Sequence, residues 1–289
     1  MDDMRYEAPE TIDAAVALLA GAGGDVRVLA GGTDILVQLR AEMIEPALLV
    51  DVKRIPEMMS ITAEDGGFRI GAAVPGAELG EHQALKKAWP GVVEATELIG
   101  STQIQGRASI GGNLCNGSPA ADSVPALFVA QAMVGVAGPK GRREVPVAEI
   151  VTGPGKTSLA KGEIVVSIFL PARPEHSGDA YLRFIPRTEL DIAVVGAGID
   201  LTLDEGGVCV DARVALGAVA PTVLMVPEAA EALVGTKLDD AALDKMAQAA
   251  SAACRPIDDK RGTKEFRIKV AGVMARRAAR IAYKRAGQN

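Results

Sequence analysis

Two pairs of adjacent glycines carry the clearest chemical signal in this 289-residue sequence. The first lies in Ala30, Gly31, Gly32, Thr33 and Asp34; the second lies about 75 residues on, in Ser109, Ile110, Gly111, Gly112 and Asn113. Adjacent glycines let a backbone approach an anion closely and present several N–H donors with no Cβ in the way. Each pair follows β-prone residues and precedes a polar side chain, and a diphosphate fits both. One such loop would more often be a tight turn, but a pair is harder to dismiss.

Other motifs fail on inspection. Residues 153–157 read G-P-G-K-T, yet a P-loop needs glycine five positions before Gly155, where Ile150 stands, so a turn is expected. Residues 194–201 read V-V-G-A-G-I-D-L, with Leu201 where the dinucleotide fingerprint needs its third glycine; small residues on a packed strand account for it better. Ser109 has Gly111 after it but Arg107 before it, so the nucleophile elbow is absent. His82 and His176 are the only histidines and read as surface residues, leaving little material for a Ser-His or Cys-His pair. Cys115, Cys209 and Cys254 lie far apart with no C-x-x-C, which argues against a zinc or iron-sulfur site on this chain and suits a reducing cytoplasm. No metal ligand set is expected.

Composition narrows the partners. One Trp, three Tyr and five Phe give little for base stacking, and a net charge of -6 does not attract a phosphate backbone, so nucleic acid is disfavoured. Residues 260–289 hold ten Lys or Arg against the single acid Glu265, leaving 21 basic and 36 acidic residues elsewhere. That tail reads as a basic helix, either solvated with its cations complementing the C-terminal dipole or a docking face for an acidic partner. No secretory signal is visible, and residues 123–139, interrupted by Pro125, Gln131 and Gly135, fall short of the ~20 apolar residues of a membrane span.

The glycine loops need elements to hold them. Thr11 is a plausible N-cap for a helix over residues 11–20, with Ile12, Ala15, Val16 and Leu19 at helical spacing before Gly21. Strand 26–30, the first loop, an amphipathic stretch 35–40 and strand 48–52 complete a compact α/β unit. Residues 58–74 read as a hairpin turning at Asp65-Gly66-Gly67. A helix over 89–99 precedes the small-residue segment 106–122. Residues 124–133 are buried helix or strand, and 134–137, 144–147 and 163–170 read as strands. Residues 171–180 form the expected linker. Strands at 180–184, 192–203 and 208–216 and helices at 228–234, 239–254 and 263–286 then indicate an α+β C-terminal domain.

At this point a family likeness becomes specific. A-G-G-T-D-I-L, A-S-I-G-G-N-L-C-N-G-S-P-A-A-D and P-I-D-D-K-R-G-T-K-E-F-R resemble the FAD-binding (medium) subunit of the molybdenum hydroxylases, of the aerobic carbon monoxide dehydrogenase and xanthine dehydrogenase type. The likeness spans essentially the whole chain, including residues 152–168, residues 183–193, and Val273, Met274 and Arg277 in the last helix. The second glycine motif with its trailing Pro119 and Asp122 is the most diagnostic part.

The resemblance implies an α+β fold in which a two-part FAD-binding domain, a small α/β piece over 1–56 and a mixed antiparallel-sheet piece over 57–175, precedes a C-terminal domain over 176–289. That last domain would hold a three-stranded antiparallel sheet and a helical bundle. FAD, bound non-covalently, would lie between the first two pieces with its ring reaching the third. Ala30, Gly31, Gly32, Thr33, Asp34, Ser109, Ile110, Gly111, Gly112 and Asn113 would cradle the diphosphate. Asp122 would bind a ribose or polyol hydroxyl, Ile99 would pack near the adenine, Val165 would touch the flavin, and the Arg183 cation would stabilise negative charge on the reduced ring. No residue of this chain is implied as an acid or base on substrate. Molybdopterin on a large partner and [2Fe-2S] clusters on a small one would complete a dimer of heterotrimers in the cytoplasm, with this chain passing electrons to NAD, quinone or oxygen. The missing cysteine loop separates the chain from relatives with an extra [4Fe-4S] cluster, the benzoyl-CoA reductase type. G-G-T-D in place of G-G-H-S argues against carbon monoxide as substrate. The rival readings are a non-catalytic scaffold of the same fold and a stand-alone flavin oxidase.

Overall fold

The computed structural model describes residues 4–288. It opens with β1 (Arg5–Glu7), α1 (Ile12–Gly21), β2 (Val26–Leu29), α2 (Ile35–Arg40) and β3 (Leu48–Asp51). The strands form a small parallel sheet in the order β1-β3-β2, so β3 is central and β2 lies at an edge. Thr11 caps α1 by accepting the Ala14 N–H, and Ile12, Ala15, Val16 and Leu19 are buried as the spacing predicts.

The middle of the chain supplies β4 (Ile61–Glu64) and β5 (Gly67–Gly71), then a run of short helices, α3 (Gly76–Glu81), α4 (Gln83–Ala88), α5 (Pro90–Glu97), α6 (Thr102–Gln105), α7 (Ile110–Cys115) and α8 (Ser123–Val129). Next come β6 (Met133–Gly138), β7 (Gly141–Pro146), the short hairpin of β8 (Val151–Gly153) and β9 (Lys156–Thr157), and β10 (Ile164–Leu170). An antiparallel sheet, β4-β5-β10-β6-β7, gathers the longer strands. The G-P-G-K-T segment is the β8–β9 turn, with Gly155 at φ +67°.

The last part holds β11 (Ser177–Phe184), β12 (Val195–Leu203), β13 (Cys209–Gly217), β14 (Leu224–Met225), α9 (Pro227–Glu231), α10 (Asp240–Ala253) and α11 (Lys264–Ala286). Its sheet is antiparallel in the order β11-β12-β13-β14, so a two-residue strand extends the expected three. The expected linker is shorter than residues 171–180, because β11 already begins at Ser177. Residues 76–88 and the small-residue segment 106–122 also contain helices that the pattern did not reveal.

Among the described residues, two hydrophobic cores result. One gathers α1, the parallel sheet and the antiparallel middle sheet; the other lies between β11–β13 and the helices α9–α11. Helix α8 bridges them. Its Pro125 lies so close to the C-terminal sheet that a Cβ at Gly198 would stand 2.8 Å from the Pro125 carbonyl oxygen and one at Gly217 would stand 2.9 Å from Pro125 Cγ. A Cβ at Gly196 would likewise stand 2.5 Å from the Tyr181 hydroxyl oxygen, so close packing on a strand explains the glycines of V-V-G-A-G-I-D-L. Arg173 also joins the two parts. It pairs with Asp179 at 2.7 Å and Asp200 at 2.6 Å, donates to the Ala88 carbonyl, and lies over the Trp89 ring.

The basic C-terminal stretch spends much of its charge inside the molecule. Arg276 and Arg280 pair with Asp240, Arg276 also with Asp244, and Arg285 with Glu94. Arg261, Lys264 and Arg267 pair with Asp191, Asp258 and Asp259 respectively. The alanine-rich opposite face of α11 is buried on the sheet. Among the described residues no helix is long and apolar enough to cross a membrane.

Candidate functional site

A cavity of about 320 Å³ opens between the parallel sheet and the middle sheet. One wall is the edge strand β2, through Val26, Arg27 and Val28, and the glycine loop that leaves it. The facing wall is residues 108–116, and the β8–β9 hairpin with the start of β10 closes a third side.

The first loop is anchored at its root. The Leu29 carbonyl accepts from Val52 N at 3.1 Å, and the Ala30 carbonyl accepts from Lys53 Nζ at 2.8 Å. Gly31 packs so tightly on the other wall that a Cβ would overlap the Arg107 carbonyl, and Gly32 stands at φ +79°, a conformation that disfavours any side chain. Among the described residues, the backbone N–H groups of Gly31, Gly32, Thr33, Asp34 and Ile35 have no protein acceptor. These are unspent donors at the rim of a cleft, the arrangement that binds a multiply charged anion.

The second loop differs. Gly111 N donates to the Ala72 carbonyl at 3.1 Å, Gly112 N to Ser109 Oγ at 3.1 Å and Asn113 N to the Ser109 carbonyl at 2.9 Å. Ser109 is thus the N-cap of α7. A Cβ at Gly111 would stand 2.5 Å from the Ala72 carbonyl oxygen, whereas one at Gly112 would meet only Ser109 Oγ, at 3.0 Å, and otherwise enter open space. The expectation that both loops offer their backbone alike is corrected: the first keeps its donors free, and the second spends these amides on its own helix and on Ala72. What the second loop presents is Gly112, which admits close approach, and Asn113, whose Oδ1 accepts from Ser123 N and Oγ.

Of the residues singled out in the sequence, Ala30, Gly31, Gly32, Thr33, Asp34, Ile99, Ser109, Gly111, Gly112, Asn113 and Val165 border the cavity. Val165 comes from β10 beside a bulge, where the register shifts between Val165 and Ser167 and Val166 instead accepts from Ala72 N. Ile110 does not border it; its side chain is wholly buried in the core. Asp122 and Arg183 do not border it either. They pair with each other at 2.6 Å, and Tyr181 donates to the other Asp122 oxygen at 2.9 Å, so the carboxylate is already bound within the chain. Burial pushes the Asp122 carboxyl up to about 6, partly offset by Arg183 and the Tyr181 hydroxyl. The pair instead ties the start of α8 to β11, which the sequence could not show without the contact between the two parts.

Sequence reasoning missed Asn116, Thr157 and Leu159, although each stands in a segment that carries the family likeness. Asn116 Nδ2 reaches across to Asp34 Oδ1 through a long hydrogen bond of 3.4 Å, and burial raises the Asp34 carboxyl. Lys53 was missed as well; it touches the loop from behind, and a lysine after a strand carries no motif. Cys115 also lines the cavity, and burial pushes its thiol up to about 12. A thiol so held stays protonated at neutral pH and is a poor nucleophile. His82 caps α4 by accepting from Leu85 N, and neither it nor His176 borders the cavity. Among the described residues no group of three or more His, Cys, Asp or Glu side chains could hold a metal ion.

Free backbone amides on the first loop, apolar side chains such as Ile99, Ile164 and Val165, and polar side chains such as Asn113 and Asn116 line one cavity, a set that suits a dinucleotide whose diphosphate sits on the first loop. Residues 2–173 match the family described as the FAD binding domain in molybdopterin dehydrogenase, and residues 180–282 match the CO dehydrogenase flavoprotein C-terminal domain. The chain is 33% identical over 288 residues to the putative xanthine dehydrogenase FAD-binding subunit of Escherichia coli (strain K12), covering 99% of this chain and 98% of that protein. It is 37% identical over 281 residues to the carbon monoxide dehydrogenase medium chain of Afipia carboxidovorans, covering 97% of each. Its fold superposes on a chain of reconstituted CO dehydrogenase from Oligotropha carboxidovorans with a TM-score of 0.93, 36% identity and 98% of each chain covered.

Proposed function

Since this chain belongs to the family of FAD-binding subunits of the molybdopterin dehydrogenases, we propose that it is the electron-transfer subunit of a multi-subunit molybdenum hydroxylase, taking electrons from a partner's [2Fe-2S] clusters and passing them through FAD to an external acceptor. It is an oxidoreductase component, and its cofactor is FAD. The observation that carries the proposal is the row of unspent amides from Gly31 to Ile35 facing Gly112 and Asn113 across one cleft.

The chain's own residues bind and orient. The amides of Gly31, Gly32, Thr33, Asp34 and Ile35 would hold the diphosphate, while Gly112 leaves room for it. Asn113, fixed by Ser123, and Asp34, braced by Asn116, would accept from hydroxyl groups beside it. Ile99 and Val165 would cover apolar ring surface and exclude water. Asp122 and Arg183 would act one layer back, holding α8 and the Asn113–Ser123 contact in place. Of the acid–base groups lining the cavity, Cys115 is pushed up by burial, Asp34 accepts from Asn116 and Glu163 is paired with Arg143, and neither histidine borders it. This favours an electron carrier over a stand-alone oxidase.

The same reading divides the chain near residues 56/57 and 175/176, and the two separate cores support the second division. It also places the complex in the cytoplasm, with a molybdopterin-bearing large subunit and an iron-sulfur small subunit in a dimer of heterotrimers. Stable docking would bury on the order of 1,600 Å² in total.

The purified chain should show oxidised-flavin absorbance, and aldehydes, purines or heteroaromatic compounds added anaerobically should leave it unchanged until the other subunits are restored. Bleaching by such a compound with this chain alone would establish the oxidase instead, and a colourless chain that takes up no added FAD would establish the scaffold.

A further inference from the structure

Lys53 reaches the glycine loop from beneath. Its Nζ donates to the Ala30 carbonyl at 2.8 Å and to Asp51 Oδ1 at 2.8 Å, and its backbone N–H donates to the same Asp51 oxygen at 3.0 Å. The other Asp51 oxygen accepts from the Tyr6 hydroxyl at 2.6 Å. Asp51 ends the central strand β3, paired in register with Leu29, the last residue of β2. Two successive carbonyls at the root of the loop are therefore held from that strand: Leu29 by Val52 N and Ala30 by Lys53 Nζ.

The Ala30 carbonyl and the Gly31 N–H belong to one planar trans peptide and point in opposite directions. Fixing that carbonyl on an ammonium thus fixes the aim of the first unspent amide, and polarises the peptide so that its N–H is a stronger donor. The Lys53 side chain is half-buried, which leaves its field less screened by water than that of a surface lysine. Asp51 balances part of the charge but is itself shared with Tyr6, so the cluster does not reduce to a closed lysine–aspartate pair. Neither Lys53 nor Asp51 borders the cavity.

We infer that Lys53 is a positioning residue for the flavin nucleotide: by clamping the Ala30 carbonyl it orients the amides of the first glycine loop toward the diphosphate and adds positive charge beneath them. This rests on the flavin reading of the cleft. Its loss should weaken cofactor binding while leaving the fold intact, because its own side chain belongs to neither core, whereas its neighbours Val50, Val52 and Ile55 do the packing there.

The test is a fluorescence titration of FAD into the full-length chain freed of flavin, with far-UV circular dichroism on each variant. Lys53→Met should bind FAD about ten- to a hundredfold more weakly, the effect of losing a charged hydrogen bond. Lys53→Arg, which keeps charge and donors, should recover most of the affinity. Tyr6→Phe removes the other partner of Asp51 without touching Ala30 and should stay within about twofold of the parent. The parent's affinity should also fall more steeply with added salt than that of Lys53→Met. Unchanged affinity in a folded Lys53→Met, or equal weakening by Tyr6→Phe, overturns the inference. Should Lys53→Met fail to fold, Lys53→Gln decides on the same criterion, since it keeps a donor for Ala30 without the charge: affinity equal to the parent's at every salt concentration overturns the charge role. Failure of the parent itself to bind FAD would instead overturn the flavin reading on which this rests.

Discussion

At the scale of single residues, glycines that look alike in sequence do different work. A Cβ at Gly111 would collide with the Ala72 carbonyl, whereas one at Gly112 would project into the cleft. Gly111→Val should therefore fail as a folding variant, losing on the order of 3 kcal/mol or more, the scale of overpacking and strain in a core. Gly112→Val should keep most of the stability and lose FAD. Thermal melts and flavin content measured on both variants check the distinction, and the opposite pattern would show that the second loop's roles are reversed. Cys115 makes a second residue-level case. With its thiol pushed up to about 12 by burial, it has almost no thiolate near neutral pH, so no covalent flavin link is expected there. Acid precipitation should leave the yellow colour in the supernatant. The glycine pairs were legible because their spacing is a backbone requirement written in one residue type. Lys53 was not, because its role arises only when the end of β3 is brought beneath a loop more than twenty residues earlier in the chain.

At the scale of elements, the contact between α5 and β11 depends on buried charge. Arg173 links Asp179 and Asp200, and Asp179 also accepts from Val92 N at the start of α5. Removing the cation in Arg173→Ala leaves two buried carboxylates without their main partner and should cost about 3–5 kcal/mol in a urea melt. Burial pushes the Asp200 carboxyl from 3.8 up to about 7, against the pull of Arg173 and Arg213 and with Asp179 adding to the rise. Between those values the folded state holds a proton that the unfolded state has released, so this group's contribution falls as pH rises from 3.8 to about 7 and is level above that. Urea midpoints across about pH 5 to 8 should drop with rising pH more steeply in the parent than in Asp200→Asn; parallel profiles would refute the assignment. The long elements were readable where period and capping agree, as at Thr11 for α1, whose side chain accepts from Ala14 N; the Thr263 cap of α11, which accepts from Phe266 N, emerges from the structure. Helix α7 was hidden because glycines in its first turn argue against a helix; the tertiary demand for close approach to Ala72 overrides that propensity. Helices α3 and α4 were too short to show a period.

At the scale of the whole molecule, α8 is the strut between two cores. A bulky residue at Gly198 would push against the Pro125 carbonyl and should pry the strut from the C-terminal sheet. Gly198→Val is expected to split a single calorimetric transition into two, and one sharp transition at unchanged temperature would show that the cores couple by another route. The basic helix illustrates what sequence leaves open at this scale: a solvated face is the favoured reading over a docking face, and only the fold shows how many of its cations meet Asp240, Asp244 and Glu94. The edge strand beside the cleft has one further consequence. Among the described residues, strand β2 pairs with β3 on one side only, and the other side flanks the cavity, where Val26 and Val28 stand. An open strand edge is a template for another chain's strand, so a bound nucleotide lying along it would also act as a guard against aggregation. Chains freed of flavin should become turbid sooner on concentration than loaded ones, and the cofactor would then set the shelf life of the protein as well as its redox chemistry.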